Sequence, residues 1–243
     1  MAEKGVGAGP GGFRWRGGSE ISRLEGFTDA VFAFAVTLLV VSLEVPRTFE
    51  DLKLAMSGFF AFAICFALLF TIWYQQYVFF RRYGLEDMSV VVWNAILIFV
   101  VLFYVYPLKF LFTYLVAELL HLPGAPTMRS ENDMSQLMQI FSAGFIAVFL
   151  IFAFLYGHAY RRRAELDLNE IERFDTKSSI FSALIQAAVG VVSLAIASSP
   201  LPRAGSWAGI FYMSLGPIKT LEGISVGRRR HRVEQRVLAR VKG

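Results

Sequence analysis

Long apolar runs constrain this chain more than any other feature of its sequence. Of the 243 residues, 56% are hydrophobic and only 18% are charged. The apolar residues are concentrated in stretches that approach or exceed about 20 residues, the length a helix needs to cross a bilayer. The sequence therefore predicts an all-α, polytopic membrane protein rather than a soluble domain.

Six such stretches are predicted as transmembrane helices. Pro46 closes the first, Pro107 bends or ends the third, and an apolar extension of the third reaches Leu120. The sixth contains Gly216-Pro217. The predicted spans cover, approximately, residues 22–45, 54–80, 89–106, 134–160, 179–198 and 207–224.

The distribution of basic residues predicts the orientation of these spans. Eighteen of the lysines and arginines fall in the two terminal regions and in the second and fourth connections, against four in the other connections. The positive-inside rule then places both termini in the cytoplasm, consistent with six spans in the cell membrane. We divide the chain into a flexible cytoplasmic tail (residues 1–20), a six-helix transmembrane domain (21–225) and a basic cytoplasmic tail (226–243).

The first span contains acidic residues that a simple membrane anchor would lack. Asp29 and Glu44 are separated by about 22 Å on a helix, so both cannot lie outside a hydrocarbon core about 30 Å thick. Intramembrane carboxylates normally face a protein partner or a water-filled path. This span is therefore the candidate for function.

One face of the same span is apolar with a single hydroxyl. Phe34, Thr37, Leu38 and Val41 follow the i, i+3, i+4, i+7 spacing that places residues on one side of a helix. This pattern is typical of a packing stripe. It also fits a face that meets its own copies around an axis, where a ring of large apolar side chains blocks water and ions.

Polar residues in the next two spans are candidate partners for the charges of the first. Arg23 and Asp29 lie on different helix faces and so require partners from other segments. Trp73, Gln76 and Asn94 lie at a similar predicted depth. We expect a buried hydrogen-bonded cluster that fixes helix positions.

These residues carry a family resemblance. The pattern Arg23-x-x-x-Phe27-Thr28-Asp29 resembles the R-x-x-x-F-S-D signature on the first helix of the transmembrane protein 175 potassium channels and their prokaryotic relatives. Further matching features are Thr37 with Leu38-Leu39 before Pro46, Trp73 with Phe79 and Phe80, Asn94, and Pro107.

The resemblance implies a homotetramer in which four first helices line a potassium pathway. It places the constriction and filter at Phe34, Thr37, Leu38 and Val41. It also implies that polar contacts with the second and third helices position the signature residues. We expect that network to comprise Arg23, Phe27, Thr28, Asp29, Trp73, Gln76 and Asn94.

Three positions depart from the family pattern. Thr28 replaces serine and keeps the hydroxyl. Gln76 replaces a common histidine and removes a titratable group. Phe34 replaces isoleucine or leucine, and its larger ring would narrow a constriction.

The sequence predicts a potassium-selective, leak-type channel that is not an enzyme and uses no cofactor. The three histidines lack metal-ligand spacing, and the G-x-G-x-x-G and G-x-S-x-G matches lack the required strands. The basic C-terminal tail predicts contact with anionic lipids rather than nucleic acid. The alternatives are a proton-coupled transporter using Asp29 or Glu44, and a membrane scaffold without conductance.

Overall fold

The structure, a computed structural model, describes residues 7–8, 13–18, 21–41, 47–122 and 128–242. The described chain is helical except for one two-residue antiparallel ladder, which confirms the predicted all-α class. The helices are α1 (Arg23–Val41), α2 (Phe49–Ser57), α3 (Phe59–Tyr83), α4 (Met88–Leu120), α5 (Glu131–Arg161), α6 (Glu170–Ala197), α7 (Ala204–Phe211) and α8 (Leu215–Lys242), and the strands are β1 (Gly7–Ala8) and β2 (Arg14–Trp15).

Four of the described helices are long and apolar enough to cross a membrane. They are α3, α4, α5 and α6, with 25, 33, 31 and 28 residues. At about 1.5 Å per residue, even the 25-residue helix exceeds a hydrocarbon core of about 30 Å. The prediction of a membrane protein is confirmed by these helices.

Capping residues start α5 and α6 before the apolar runs begin. Ser130 and Asp133 form a reciprocal capping box at the start of α5, and Asn169 and Glu172 form another at the start of α6. Each box gives hydrogen-bond partners to backbone N–H groups that the first helical turn leaves unpaired. Both helices therefore begin upstream of the predicted spans, α6 by nine residues.

The second and third predicted spans have different ends in the structure. A turn at Gly58 separates α2 from α3, so the second long helix starts at Phe59 rather than near residue 54. Helix α4 continues through Pro107 to Leu120. Proline is tolerated inside membrane helices because neighbouring groups can satisfy the backbone it leaves unpaired.

The sixth predicted span is interrupted. Helix α7 ends at Phe211, a 3₁₀ turn covers Tyr212–Ser214, and α8 starts at Leu215. Pro217 has no backbone N–H and is accommodated in a first helical turn, where that donor would be unpaired anyway. Helix α8 then runs to Lys242 without a break at residue 226, so it includes most of the basic tail.

Residues 13–18, here called the N-terminal clasp, pack against the helices, which differs from the flexible tail expected for residues 1–20. Phe13 is fully buried. The backbone N–H groups of Arg16 and Gly17 both donate to the carbonyl of Arg81 at the end of α3, at 3.1 Å. Composition alone gave no sign of this, because a glycine-rich stretch suggests mobility.

Glu172 joins the clasp to the start of α6, upstream of the predicted span. Arg14 and Arg16 place guanidinium nitrogens 3.1 and 2.6 Å from its carboxylate. Burial raises the pKa of Glu172, but the hydrogen bonds from the two arginines and the capping backbone outweigh burial and lower the pKa to about 2. The carboxylate is therefore ionised throughout the physiological pH range.

Candidate pore helix

Helix α1 has one face buried against its own subunit. Phe32, Ala35 and Leu39 are 4%, 0% and 1% exposed, and the helix packs on α3 and α4. Ser22 starts the helix, because its hydroxyl accepts from the N–H of Glu25 while the Glu25 carboxylate accepts from the N–H of Ser22. This reciprocal pair is a capping box.

The opposite face of α1 is uncovered. Phe27 and Phe34 are 59% and 56% exposed, and Ala30 and Thr37 are also exposed. These four residues are spaced at helical intervals and form a continuous stripe, which we call the open face. Of the other predicted pore residues, Leu38 is half-buried at the edge of this face, and the side chain of Val41 lies outside the described part.

The hydroxyl of Thr37 has a defined orientation. Its Oγ1 donates to the carbonyl of Ala33, one turn earlier, at 2.9 Å. A hydroxyl has one donor hydrogen and two acceptor lone pairs. Because the hydrogen is used within α1, the lone pairs of this exposed oxygen are available to a cation.

Three of the predicted network residues meet in a buried cluster between α1, α3 and α4. Thr28, Gln76 and Asn94 are 2%, 1% and 1% exposed. Asn94 Nδ2 donates to Thr28 Oγ1 at 2.7 Å, and Gln76 Nε2 donates to Asn94 Oδ1. Thr28 in turn donates to the carbonyl of Leu24 at 2.8 Å. The cluster joins the three helices at one level.

The remaining signature residues are placed differently. Trp73 Nε1 donates to Asp29 Oδ1 at 2.7 Å, so this carboxylate has a partner on α3. Arg23 and Phe27 are exposed and lie apart from the buried cluster. Among the described residues, no hydrogen bond or ion pair is found for Arg23. Glu44, the other candidate carboxylate, lies outside the described residues.

Lys109 contacts α1 at the opposite end from the cluster, and sequence reasoning did not assign it a role. Its Nζ donates to the carbonyl of Leu39 at 2.6 Å. Leu39 lies two residues before Val41, the last described residue of α1, so Lys109 links α4 to this part of the helix. One feature of the sequence could have indicated a role for Lys109. A charged residue within an apolar run usually has a specific partner or a function.

These features define a helical membrane protein whose opening helix is fixed by two later helices and leaves one face uncovered. Comparison with known proteins agrees with this class. The family model described as the endosomal/lysosomal potassium channel TMEM175 matches residues 23–104, which include α1, the buried cluster and Trp73.

Similarity to individual proteins extends over more of the chain. A potassium channel of Marivirga tractuosa is 45% identical over 190 residues, covering 74% of this chain and 75% of that protein. A potassium channel of Chamaesiphon minutus is 31% identical over 149 residues, or 58% and 66% of the two chains. One crystal structure is also similar, that of a threonine-to-alanine variant of the potassium channel MtTMEM175 in complex with a nanobody–MBP fusion. It superposes with a TM-score of 0.79 at 39% identity, and the match covers 92% of this chain and all of that one.

The chain belongs to the TMEM175 family, whose members are ion channels and not enzymes. The family resemblance inferred from the sequence is thereby confirmed.

Proposed function

We propose that this protein is a potassium-selective, leak-type channel in which four copies of α1 surround a central pathway. The open face of α1 carries this proposal. A helix at the centre of a subunit assembly needs one face packed on its own subunit and one face left for its copies, and α1 has both. The names of its relatives, all potassium channels, support potassium as the permeant ion.

The open face supplies the chemistry that such a pathway needs. A ring of Phe34 side chains would form an apolar constriction, which excludes water and ions when it is narrow. Thr37, one turn further along, would add a ring of oxygen lone pairs able to replace part of the hydration shell of potassium. Leu38 and Val41 complete the proposed pore lining.

The arrangement in the membrane is also part of the proposal. We place six membrane-spanning segments in the cell membrane, with the clasp and the end of α8 in the cytoplasm, as the distribution of basic residues favours. The basic part of α8 would then lie at the anionic inner surface, at about 1 kcal/mol for each nearby basic side chain.

Flux through the purified protein tests the function. We expect potassium to enter liposomes containing the protein faster than sodium, without saturable exchange and without obligatory coupling to proton transport. Proton-coupled counterflow would favour a transporter instead, and no flux of either ion would contradict conduction. Mass measurement of the detergent-solubilised protein should give four copies, and a monomer would remove the central pathway.

Replacement of Thr37 tests the proposed filter. Thr37→Ala removes the outward oxygen, so we expect a several-fold lower ratio of potassium to sodium permeability in the liposome assay, with assembly unchanged. Thr37→Ser keeps the hydroxyl and should preserve the ratio. Equal ratios in Thr37→Ala and the unmodified protein would exclude this residue from the filter.

Lys109 is expected to position the filter rather than to contact ions. Lys109→Met removes the donor to Leu39, two residues beyond Thr37, and a hydrogen bond from a charged group is worth about 1.5–3 kcal/mol. We expect lower potassium selectivity in this variant, measured as the permeability ratio in liposomes. Lys109→Arg keeps a charged donor and should preserve selectivity. A purely steric role would give the opposite order, because methionine has nearly the shape of lysine and arginine is larger.

A further inference from the structure

A large crevice lies away from the open face of α1. It is formed by α3, α6 and α8, with Tyr156 of α5 at its wall, and has a volume of about 740 Å³. Arg82, Asp175 and Arg230 line one end, where α3 finishes and α6 starts. Lys219 and Gln186 line the other end. A volume of this size is typical of sites that bind small organic ligands.

The acidic residues of the crevice already have cationic partners. Asp175 is paired with Arg230 at 3.0 Å, and Glu222 is paired with Lys219 at 2.9 Å. Lys219 also donates to the hydroxyl of Ser182. Each carboxylate therefore already has a hydrogen-bonded cation, and a third cation near Asp175 acts on it through its charge without a hydrogen bond to it among the described residues.

Arg82 is that third cation. Its Nε is buried and has no hydrogen-bond partner among the described residues, and its guanidinium lies 4.9 Å from the centre of the Phe13 ring. A buried guanidinium nitrogen without an acceptor is costly. The planar guanidinium is well suited to the oxygens of a phosphate group. The hydroxyls of Ser178 and Ser182 line the same crevice and can donate as well.

We propose that the crevice between α3, α6 and α8 binds a phosphate-bearing anion, with Arg82 as its principal cation and the α6 serines as further donors. The end of α3 and the start of α6 lie at the proposed cytoplasmic level, so the phosphate can come from an anionic phospholipid headgroup or from a soluble phosphate. This site is independent of ion conduction. It shares Arg230 with the basic part of α8, but its principal cation, Arg82, lies on α3.

Binding to the full-length protein in detergent tests the site. The probes are short-chain phosphatidylglycerol, phosphatidylcholine of the same chain length, and inorganic phosphate against chloride at equal ionic strength. The readouts are the melting temperature and native mass spectrometry. Preference for phosphatidylglycerol alone identifies a lipid headgroup, and a response to inorganic phosphate as well identifies the phosphate itself. No response to phosphate and equal responses to the two lipids would overturn the proposal.

Two variants locate the binding. Arg82→Gln should lower the affinity for the bound probe at least about tenfold, the factor expected for loss of one hydrogen bond to a charged group. Gly223 lines the crevice, and no heavy atom lies within 4 Å of a Cβ built there. Gly223→Leu should therefore fill the crevice and reduce binding while removing no charge.

The matched control is Gly227→Leu. Gly227 is one turn further along α8, has equally open surroundings and does not line the crevice. We expect this variant to bind like the unmodified protein. Unchanged binding in Gly223→Leu, or equal loss in Gly223→Leu and Gly227→Leu, would place the anion outside the crevice and contradict the proposal.

Discussion

Replacing Asn94 with leucine is expected to lower the stability of the assembled protein and with it the ion flux. Asn94 is the middle member of the buried cluster, and Gln76 joins that cluster through its bond to Asn94. Gln76 Oε1 is already buried without a partner among the described residues. In Asn94→Leu the whole Gln76 amide would lack hydrogen-bond partners, whereas Thr28 would keep its hydrogen bond to the Leu24 carbonyl.

The unsatisfied Gln76 amide sets the expected loss of stability. An orphaned buried polar group costs about 1–3 kcal/mol, although bonds between membrane helices average only about 0.6 kcal/mol. We take the larger figure because the cluster is almost fully buried. A loss of this size would lower the melting temperature by roughly 3–10 °C for a chain of this length, measurable by fluorescence-detected size-exclusion chromatography.

A second substitution gives the sharpest control. Replacing both partners of a buried hydrogen bond by apolar groups of similar shape can be nearly neutral. Asn94→Leu combined with Gln76→Leu should therefore be more stable than Asn94→Leu alone. Val92→Leu, on the exposed side of α4, should have little effect. A double variant less stable than the single one would mean that the amides are not the source of the loss.

Phe34→Ala is expected to increase potassium flux by at least about tenfold, equivalent to lowering the barrier by about 1.4 kcal/mol. The phenyl ring lies on the open face, 56% exposed in the single chain, and an apolar constriction blocks ions by excluding water. Removal of the ring would widen and hydrate that constriction. The initial rate of potassium uptake into liposomes measures the change.

A measurement of ion selectivity and a control variant at another phenylalanine complete this test. The potassium to sodium permeability ratio of Phe34→Ala should fall toward one if the ring also contributes to the filter. Phe103→Ala removes an equally large side chain that is 70% exposed on α4, outside the proposed pore lining, and should leave uptake unchanged. Unchanged or reduced uptake in Phe34→Ala would contradict a barrier at this residue.

The sequence predicted the parts of this site that depend on side-chain depth and spacing. Similar depth in adjacent spans made Trp73, Gln76 and Asn94 candidate partners for the charges of the first span. The place of Thr28 in this network was implied by the family resemblance. The i, i+3 spacing of Phe34 and Thr37 likewise predicted that they share a helix face. Depth and helical spacing can both be counted directly along the sequence.

Other contacts could not be predicted from the sequence. Lys109 donates to the backbone carbonyl of Leu39. Because every residue has a backbone carbonyl, the sequence could not identify this acceptor. Glu172 was part of a charged connection, and its contacts with Arg14 and Arg16 cross more than 150 positions. The Gly216-Pro217 pair indicated that the sixth segment is not a regular helix. It could not show how, because a proline is compatible with a kink as well as with a new helix start.

The contacts at Thr28 and Leu39 have a consequence for the speed of gating. They are eleven residues apart, about 16 Å along α1, and Phe34 lies between them. A helix fixed at these two levels has little freedom to slide or tilt as a rigid body. Changes in the width of the proposed pore should therefore come from rotation of the phenyl rings about χ1 and χ2. Such side-chain transitions take picoseconds to nanoseconds at exposed sites. We therefore expect this motion to be averaged within the single-channel current, whose size would be set by rotamer populations rather than by resolved openings and closings.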